Sequence, residues 1–327
     1  MKEFWMKRIG ALLLTAILLT GSASALFGKQ AEPAEAAEGA PLARDIEITT
    51  YREIPYEAQF LASDSEGDDM TFALVKEPKK GAVTIDGINF TYVPKSGAVG
   101  GDSFTYTATD SAGNVSLPAT VTVKIEKTKS GVTYSDTEGS RAAAAAQYLA
   151  ETGIFTGAKL GDQYYFEPDR TVSRSEFLAM VLETMGHEVT SVTVTGFCDD
   201  EAIPTWAKAY AAAGVTQGIL QGKTTENGAA FCGEDSITFN EAATVLNRVL
   251  DMGDVDLEVW YADREAVPSW ATQAVGNMEA LNVLTVGSFG SHTMEQPLTR
   301  ADAAQMLAAA KTLMDGEDAK TLPDWFK

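Results

Sequence analysis

Two arginines stand where a cation is locally disfavoured. Arg174 follows Ser173 and Arg300 follows Thr299, and a carboxylate, Glu176 or Asp302, stands three residues past each hydroxyl. That spacing is a capping box, in which hydroxyl and carboxylate satisfy two orphan backbone donors at a helix start; Thr238 with Glu241 repeats it, with Phe239 in the arginine's place. A cation at the first helical position opposes the helix dipole at a cost of about 0.3–1 kcal/mol, and local rules broken this way are expected at functional sites. A guanidinium beside the free N–H groups of a helix start is a carboxylate receptor, suited to a pyruvyl ketal or a uronic acid. Trp206 and Trp270 offer apolar faces on which a sugar ring stacks. In the structural alternative each arginine pairs with a nearby acid such as Asp169 or Glu295, and each tryptophan fills the core. The receptor reading expects Arg174→Lys to weaken binding with the fold intact, and Arg174→Ala to weaken it further while slightly stabilising the helix.

Other chemistry-bearing residues are less specific. His187 and His292 are the only histidines and neither has metal-ligand spacing. Gly218-Ile-Leu-Gln-Gly222-Lys-Thr has three residues between its glycines where a phosphate-binding loop has four. No Gly-x-Ser-x-Gly elbow is present, and the chain reads as non-enzymatic. Asp64, Glu66, Asp68 and Asp69 cluster, with Asp102 and Asp110 further on; hard oxygens in such number can hold calcium, against the preferred reading of solvated turn residues and no cofactor. Cys198 and Cys232 either form a disulfide, which a secreted location permits, or remain two small buried thiols.

The elements that position these residues recur. Tyr134-Ser-Asp136, Phe197-Cys-Asp199 and Tyr261-Ala-Asp263 each open an Ala-rich helical stretch, which ends at Gly153-Ile-Phe, Gly218-Ile-Leu or Asn282-Val-Leu and is followed by the capped helix. The opening aspartates are 63 and 64 residues apart. Pro204 and Pro268 sit just inside the first helix of copies two and three, where a missing N–H costs nothing. Apolar residues then recur at helical spacing, as in Phe177, Met180 and Val181. Each copy is thus helix, loop, helix, and such units bury a core only jointly.

This pattern resembles the S-layer homology module, with its aromatic-x-Asp, Trp, Gly-Ile-x-x-Gly, Phe-x-Pro and Thr-Arg-Ala-Glu signatures; Gly153-Ile-Phe-Thr-Gly157 with Phe166-Glu-Pro168, and Gly218-Ile-Leu-Gln-Gly222, carry it. Three copies fall at residues 132–190, 195–253 and 258–315, before a tail at 316–327. The resemblance implies an all-α pseudo-threefold prism that binds anionic, pyruvylated secondary cell-wall polysaccharide. Its site residues correspond to Asp136, Gly153, Gly157, Arg174, Asp199, Trp206, Gly218, Gly222, Asp263, Trp270 and Arg300. Arg141 stands where copy one should have Trp, and copy three has Asn282 and Val286 for the two glycines. With grooves between successive copies, the fullest is expected to join Arg174 with Asp199 and Trp206.

Lys2, Lys7 and Arg8 precede an apolar run ending in Ala23-Ser-Ala25, which reads as a secretory signal over residues 1–25. The net charge is −21, and −23 once Lys2, Glu3, Lys7 and Arg8, together +2, are removed. So acidic a chain repels nucleic acid and anionic lipid. Residues 26–41 are linker-like in composition. From 42 to 127 short alternating runs, including 58–61, 71–75, 89–93, 103–108 and 120–125, are separated by turn residues such as Asp86-Gly87 and Gly100-Gly101, predicting an antiparallel β-sandwich. The run Gly101-Asp-Ser-Phe-Thr-Tyr-Thr-Ala-Thr-Asp-Ser-Ala-Gly113 resembles bacterial cadherin-like or immunoglobulin-like modules. The whole reads as a secreted, wall-anchored surface protein with no membrane span after signal cleavage. Two other readings stay open: a self-associating lattice subunit, and an accessory scaffold for a wall or polysaccharide enzyme.

Overall fold

In a computed structural model the described residues are 39–64, 69–153, 157–261 and 263–315, so the expected signal, the tail, and Glu66 and Asp68 of the acidic cluster lie outside them. The chain divides into two compact units, the first ending at Glu126 and the second beginning at Lys127.

The first unit is a β-sandwich. Its strands are β1 (Leu42–Ala43), β2 (Ile46–Tyr51), β3 (Tyr56–Gln59), β4 (Ala62–Ser63), β5 (Thr71–Lys76), β6 (Gly81–Asp86), β7 (Asn89–Pro94), β8 (Gly100–Thr109) and β9 (Ala119–Glu126). One sheet has the order β2-β9-β8-β5 and the other β3-β7-β6, while β1 pairs with β4. Only β2 and β9 pair in parallel; the rest are antiparallel. Period-two alternation sends Ile46, Ile48, Phe104, Tyr106, Val121 and Val123 inward from one sheet, against Phe90 and Tyr92 of the other. Asp86-Gly87 turns a hairpin as expected, with Asp86 opposite Asn89. Gly100-Gly101, expected as a turn, is instead the start of β8, paired with Ile125 and Lys124.

The two aspartates that extended the calcium expectation are structural. Asp102 accepts the Lys79 and Lys80 N–H groups at 3.0 and 2.8 Å and the Tyr92 hydroxyl at 2.9 Å. Asp110 accepts the Asn114 N–H and side-chain amide at 2.8 and 2.9 Å. Among the described residues no group of three His, Cys, Asp or Glu side chains is placed to hold a metal.

The second unit is helical: α1 (Ala143–Glu151), β10 (Ala158–Leu160), β11 (Gln163–Tyr165), α2 (Arg174–Thr184), α3 (Thr205–Thr216), β12 (Lys223–Thr225), β13 (Gly228–Ala230), α4 (Phe239–Leu250), α5 (Leu257–Trp260), α6 (Thr272–Ala280) and α7 (Arg300–Asp315). The connecting loops of copies one and two carry hairpins, β10–β11 and β12–β13, which helical spacing does not reveal. Copy three has a 3-10 turn at His292–Glu295 instead. The hairpins account for the missing glycine. A Cβ at Gly157 would stand 2.3 Å from the Tyr165 carbonyl oxygen, and one at Gly222 2.8 Å from that of Ala230. Val286, with no hairpin beside it, is 55% exposed. Asn282 replaces the other glycine by adopting its left-handed backbone, φ 55°, which Asn tolerates. No helix among the described residues is long and apolar enough to cross a membrane.

The three copies meet in a closed ring of backbone hydrogen bonds. Val172 N–H donates to Leu298 (2.9 Å), Leu298 to Ile237 (2.8 Å) and Ile237 back to Val172 (3.0 Å). All three side chains are at most 2% exposed, and one continuous core spans the copies. Removing residues 255–327 takes one member of the ring with it. The remaining helices are expected to lose more ellipticity than their share and to melt without a sharp transition. Leu298→Ala should cost about 2–5 kcal/mol, read by thermal melting.

Candidate functional site

Each capped helix begins immediately after the ring. Ser173 Oγ accepts from Glu176 N–H while Glu176 accepts from Ser173 N–H; Thr238 with Glu241 and Thr299 with Asp302 do the same. The next two N–H groups are not free, contrary to the receptor expectation. Arg174 and Ser175 donate to the carbonyls of Asp235 and Gly233, and Arg300 and Ala301 to those of Arg170 and Pro168. The starts of α2 and α7 are thus sealed by the loop of a neighbouring copy.

Arg174 turns into the same contact. It is 7% exposed, its Nε donates to the Phe231 carbonyl at 3.1 Å and its Nη1 lies 2.9 Å from Glu241. Neither Asp169 nor the groove of Trp206 receives it. Arg300, 6% exposed, lies over the Phe166 ring at 5.1 Å; burial, then the charge of Arg170, lowers its pKa. The expected grouping of Arg174 with Asp199 and Trp206 is therefore not formed; Arg300 lines the groove of Trp206 instead.

The opening aspartates are clamps. Asp136 accepts the N–H groups of Phe166 and Glu167 at 2.8 and 2.7 Å, and Asp199 those of Phe231 and Cys232 at 2.8 Å each. These carboxylates hold the loop residues Glu167 and Cys232 at positive φ. In copy three the equivalent work falls to Glu279 of α6, which accepts from Gly287 and Phe289 at 2.9 and 2.7 Å; burial raises its pKa. Asp263 is exposed. The sequence signal for Glu279 was weak, because the clamp has moved to another element.

Gly153 and Gly218 close α1 and α3 with left-handed backbone. Cys198 and Cys232 are both unbonded, the first exposed and the second half-buried, so they form neither the expected bridge nor a pair of buried thiols.

A groove of about 170 Å3 is open to solvent, lined by Arg170, Glu176, Met180, Glu183, Trp206 and Arg300, among others. Trp206, second residue of α3, is 51% exposed and Trp270 is 58% exposed; neither fills the core. Pro204 precedes α3 as its cap residue, and Pro268 precedes the turn into α6, accepting from Ala271 and Thr272. Tyr210 meets Trp206 edge-on at 6.4 Å and donates to Glu183 of α2 at 2.8 Å, bracing the indole against the neighbouring copy. Arg170 grips Glu176 with two guanidinium nitrogens at 2.8 and 3.2 Å. Burial acts to raise the Glu176 carboxyl, but the Arg170 fork and the Ser173 N–H outweigh it and hold the group below the usual carboxylate range.

The other seams differ. At Glu241, Arg174 is joined by Lys223 at 3.5 Å. Between copies three and one, Arg141, which replaces the tryptophan, pairs directly with buried Asp302.

Arg174→Ala should therefore destabilise. It leaves the Glu241 carboxylate and the Phe231 carbonyl short of a charged donor, at about 1.5–3 kcal/mol, and lowers the melting temperature, with Arg174→Lys recovering part. Asp200, just before α3, accepts from Lys208 Nζ (2.5 Å) and from the Thr195 hydroxyl and N–H (2.7 Å each), which hold its carboxyl down at about 2. A depressed carboxyl stabilises above its unfolded value, near 3.8, and that contribution fades as pH falls toward 2. The melting-temperature gap between the parent and Asp200→Asn should be full at pH 5 and should close by about pH 2.

Residues 38–125 match the model of the bacterial Ig domain. Over 184 residues the chain is 26% identical to the exoglucanase XynX of Acetivibrio thermocellus, covering 55% of this chain and 16% of that protein. Over 202 residues it is 25% identical to an amylopullulanase of Thermoanaerobacterium thermosulfurigenes, covering 60% and 10%. Both stretches exceed the 126 residues of the first unit and so reach into the helical one. The fibronectin(III)-like modules of Clostridium thermocellum CbhA match at 15% identity with a TM-score of 0.20, over 27% of this chain and 47% of that one. The chain thus joins an Ig-like β-sandwich to a helical unit, and spans at most about a sixth of the two enzymes it resembles.

Proposed function

We propose that the helical unit is an S-layer homology prism that anchors the chain, non-covalently and without catalysis, to anionic polysaccharide of a bacterial cell wall, displaying the Ig-like unit at the surface. The observation that carries this reading is the groove in which half-exposed Trp206 stands beside Arg170 and Arg300. An indole face braced by Tyr210 suits the apolar face of a pyranose ring, and two neighbouring guanidiniums suit a carboxylate carried on that ring. The shared stretch is a small fraction of an exoglucanase and of an amylopullulanase, which supports reading it as an accessory module.

The seams are unequal on this reading. Arg141 occupies the third with its own ion pair, leaving the groove of Trp206 as the principal site. The test is co-sedimentation of the purified protein with wall sacculi before and after their secondary polymer is chemically stripped. Binding should be lost on stripping, and Trp206→Ala should weaken it at least about tenfold, or 1.4 kcal/mol, at unchanged melting temperature. Sedimentation that needs calcium and no walls would favour lattice assembly instead, and binding unaffected by stripping would remove the anchor reading.

A further inference from the structure

The charge of the β-sandwich is sorted by end. Loops 52–55, 77–80 and 95–99 join β2 to β3, β5 to β6 and β7 to β8, so all three lie at one end. Lys76 closes β5 there, and Lys79, Lys80 and Lys95 follow in the loops. The opposite end gathers Asp45, Asp64, Asp69, Asp86 and Asp110, with Arg44. In a chain with 46 acids and 25 bases, lysines are expected to find carboxylates. Yet none of these four is ion-paired with an acid among the described residues.

Two of the ammoniums are positioned by the backbone. Lys80 Nζ donates to the Val99 carbonyl at 2.8 Å and Lys95 Nζ to the Lys79 carbonyl at 2.7 Å, which leaves each with two further N–H donors. Lys76 and Lys79 are exposed, and their ammoniums meet no protein acceptor among the described residues. Lys95 N–H donates to the Lys80 carbonyl at 2.8 Å, extending the β6–β7 ladder one pair past Gly81 and Pro94. Like charges directly opposite in a ladder are destabilising, and a local rule broken in this way is expected at a functional site. The nearby acids do not relieve it. Asp102 is spent on the Lys79 and Lys80 N–H groups and the Tyr92 hydroxyl, and Glu53 accepts the Ser96 hydroxyl at 3.3 Å.

We propose that this end of the Ig-like unit is a binding site for a flexible, non-nucleic polymer that carries one anion per repeat. The ammoniums are compact point charges without the planar fork of a guanidinium, so the site reads charge and accepts carboxylate or phosphate alike. The three loops carry no aromatic residue on which a base would stack, and the net charge of −21 opposes the dense charge of a nucleic acid. The site stands independently of the wall-anchor reading, since it lies within the first unit and no residue of the groove takes part.

The test measures binding of the full chain to polygalacturonate and to poly(glycerol phosphate), with dextran as an uncharged polymer, in a Trp206→Ala background so that the groove does not contribute. At least one polyanion should bind at about 0.05 M salt and be released at about 0.5 M, where screening is strong, while dextran is not bound. A response to polygalacturonate alone assigns a carboxylate polymer, to the phosphate polymer alone a phosphodiester, and to both the charge as such. The double variant Lys76→Gln with Lys79→Gln removes ammoniums that hold nothing in the fold. It should bind at least about tenfold more weakly at unchanged melting temperature. Lys124→Gln, which removes a lysine of the same unit already paired with Glu126, should bind as the parent does. Silence toward both polyanions, an equal response to dextran, tighter binding of single-stranded DNA, or undiminished binding by the double variant would overturn the proposal.

Discussion

The closed exchange of backbone hydrogen bonds among Val172, Ile237 and Leu298 is the constraint from which the helical unit follows. Each of these residues precedes a capped helix, so fixing their mutual register fixes where three helix starts lie and which loop each one meets. The first N–H groups of α2 and α7 are consumed by carbonyls of the adjoining copy. Helix starts that usually draw on solvent or ligand for partners here join the copies, and the core beneath can close only when all three are present.

Charge placement follows from the same geometry. The carboxylate of each capping box lies at a seam, half-buried or buried, and each draws a guanidinium: Arg170 at Glu176, Arg174 at Glu241 and Arg141 at Asp302. A cation at the first helical position is unfavourable toward its own helix dipole, yet Arg174 is offset by an ion pair with the helix of the next copy. The apparent breach of local chemistry is therefore resolved across the seam. The seams diverge because Arg141 fills the third with its own ion pair to Asp302.

Degeneration of the third copy has structural consequences of its own. Losing the hairpin relieves the need for a glycine at Val286, moves the loop clamp from an aspartate to Glu279, and brings Phe289 onto Tyr261 at 3.8 Å in the role that Phe166 plays with Tyr134. The same loss leaves a cavity of about 280 Å3 beside the start of α4. Divergence at one loop thus changes the surface presented by its neighbour.

The sequence by itself determined the principal helices and the aromatic-rich strands. Period-two alternation marked most strands of the sandwich, though Ile46–Tyr51 and Gly81–Asp86 went unread beside the stronger aromatic runs, and the hydroxyl-to-carboxylate spacing located all three capped helices because capping is a contact within four residues. It also showed that Asp136 and Asp199 recur, without revealing that their oxygens are spent on backbone N–H groups some thirty residues away. Only the tertiary structure decided the partners of the arginines. Arg174 meets residues 57 and 67 positions on, Phe231 and Glu241, and Trp206 shares its groove with Arg300. Which side chains meet across a seam depends on the cyclic order in which the copies close. That order is set by backbone hydrogen bonds, which any residue but proline can donate, and so it leaves no mark in side-chain types.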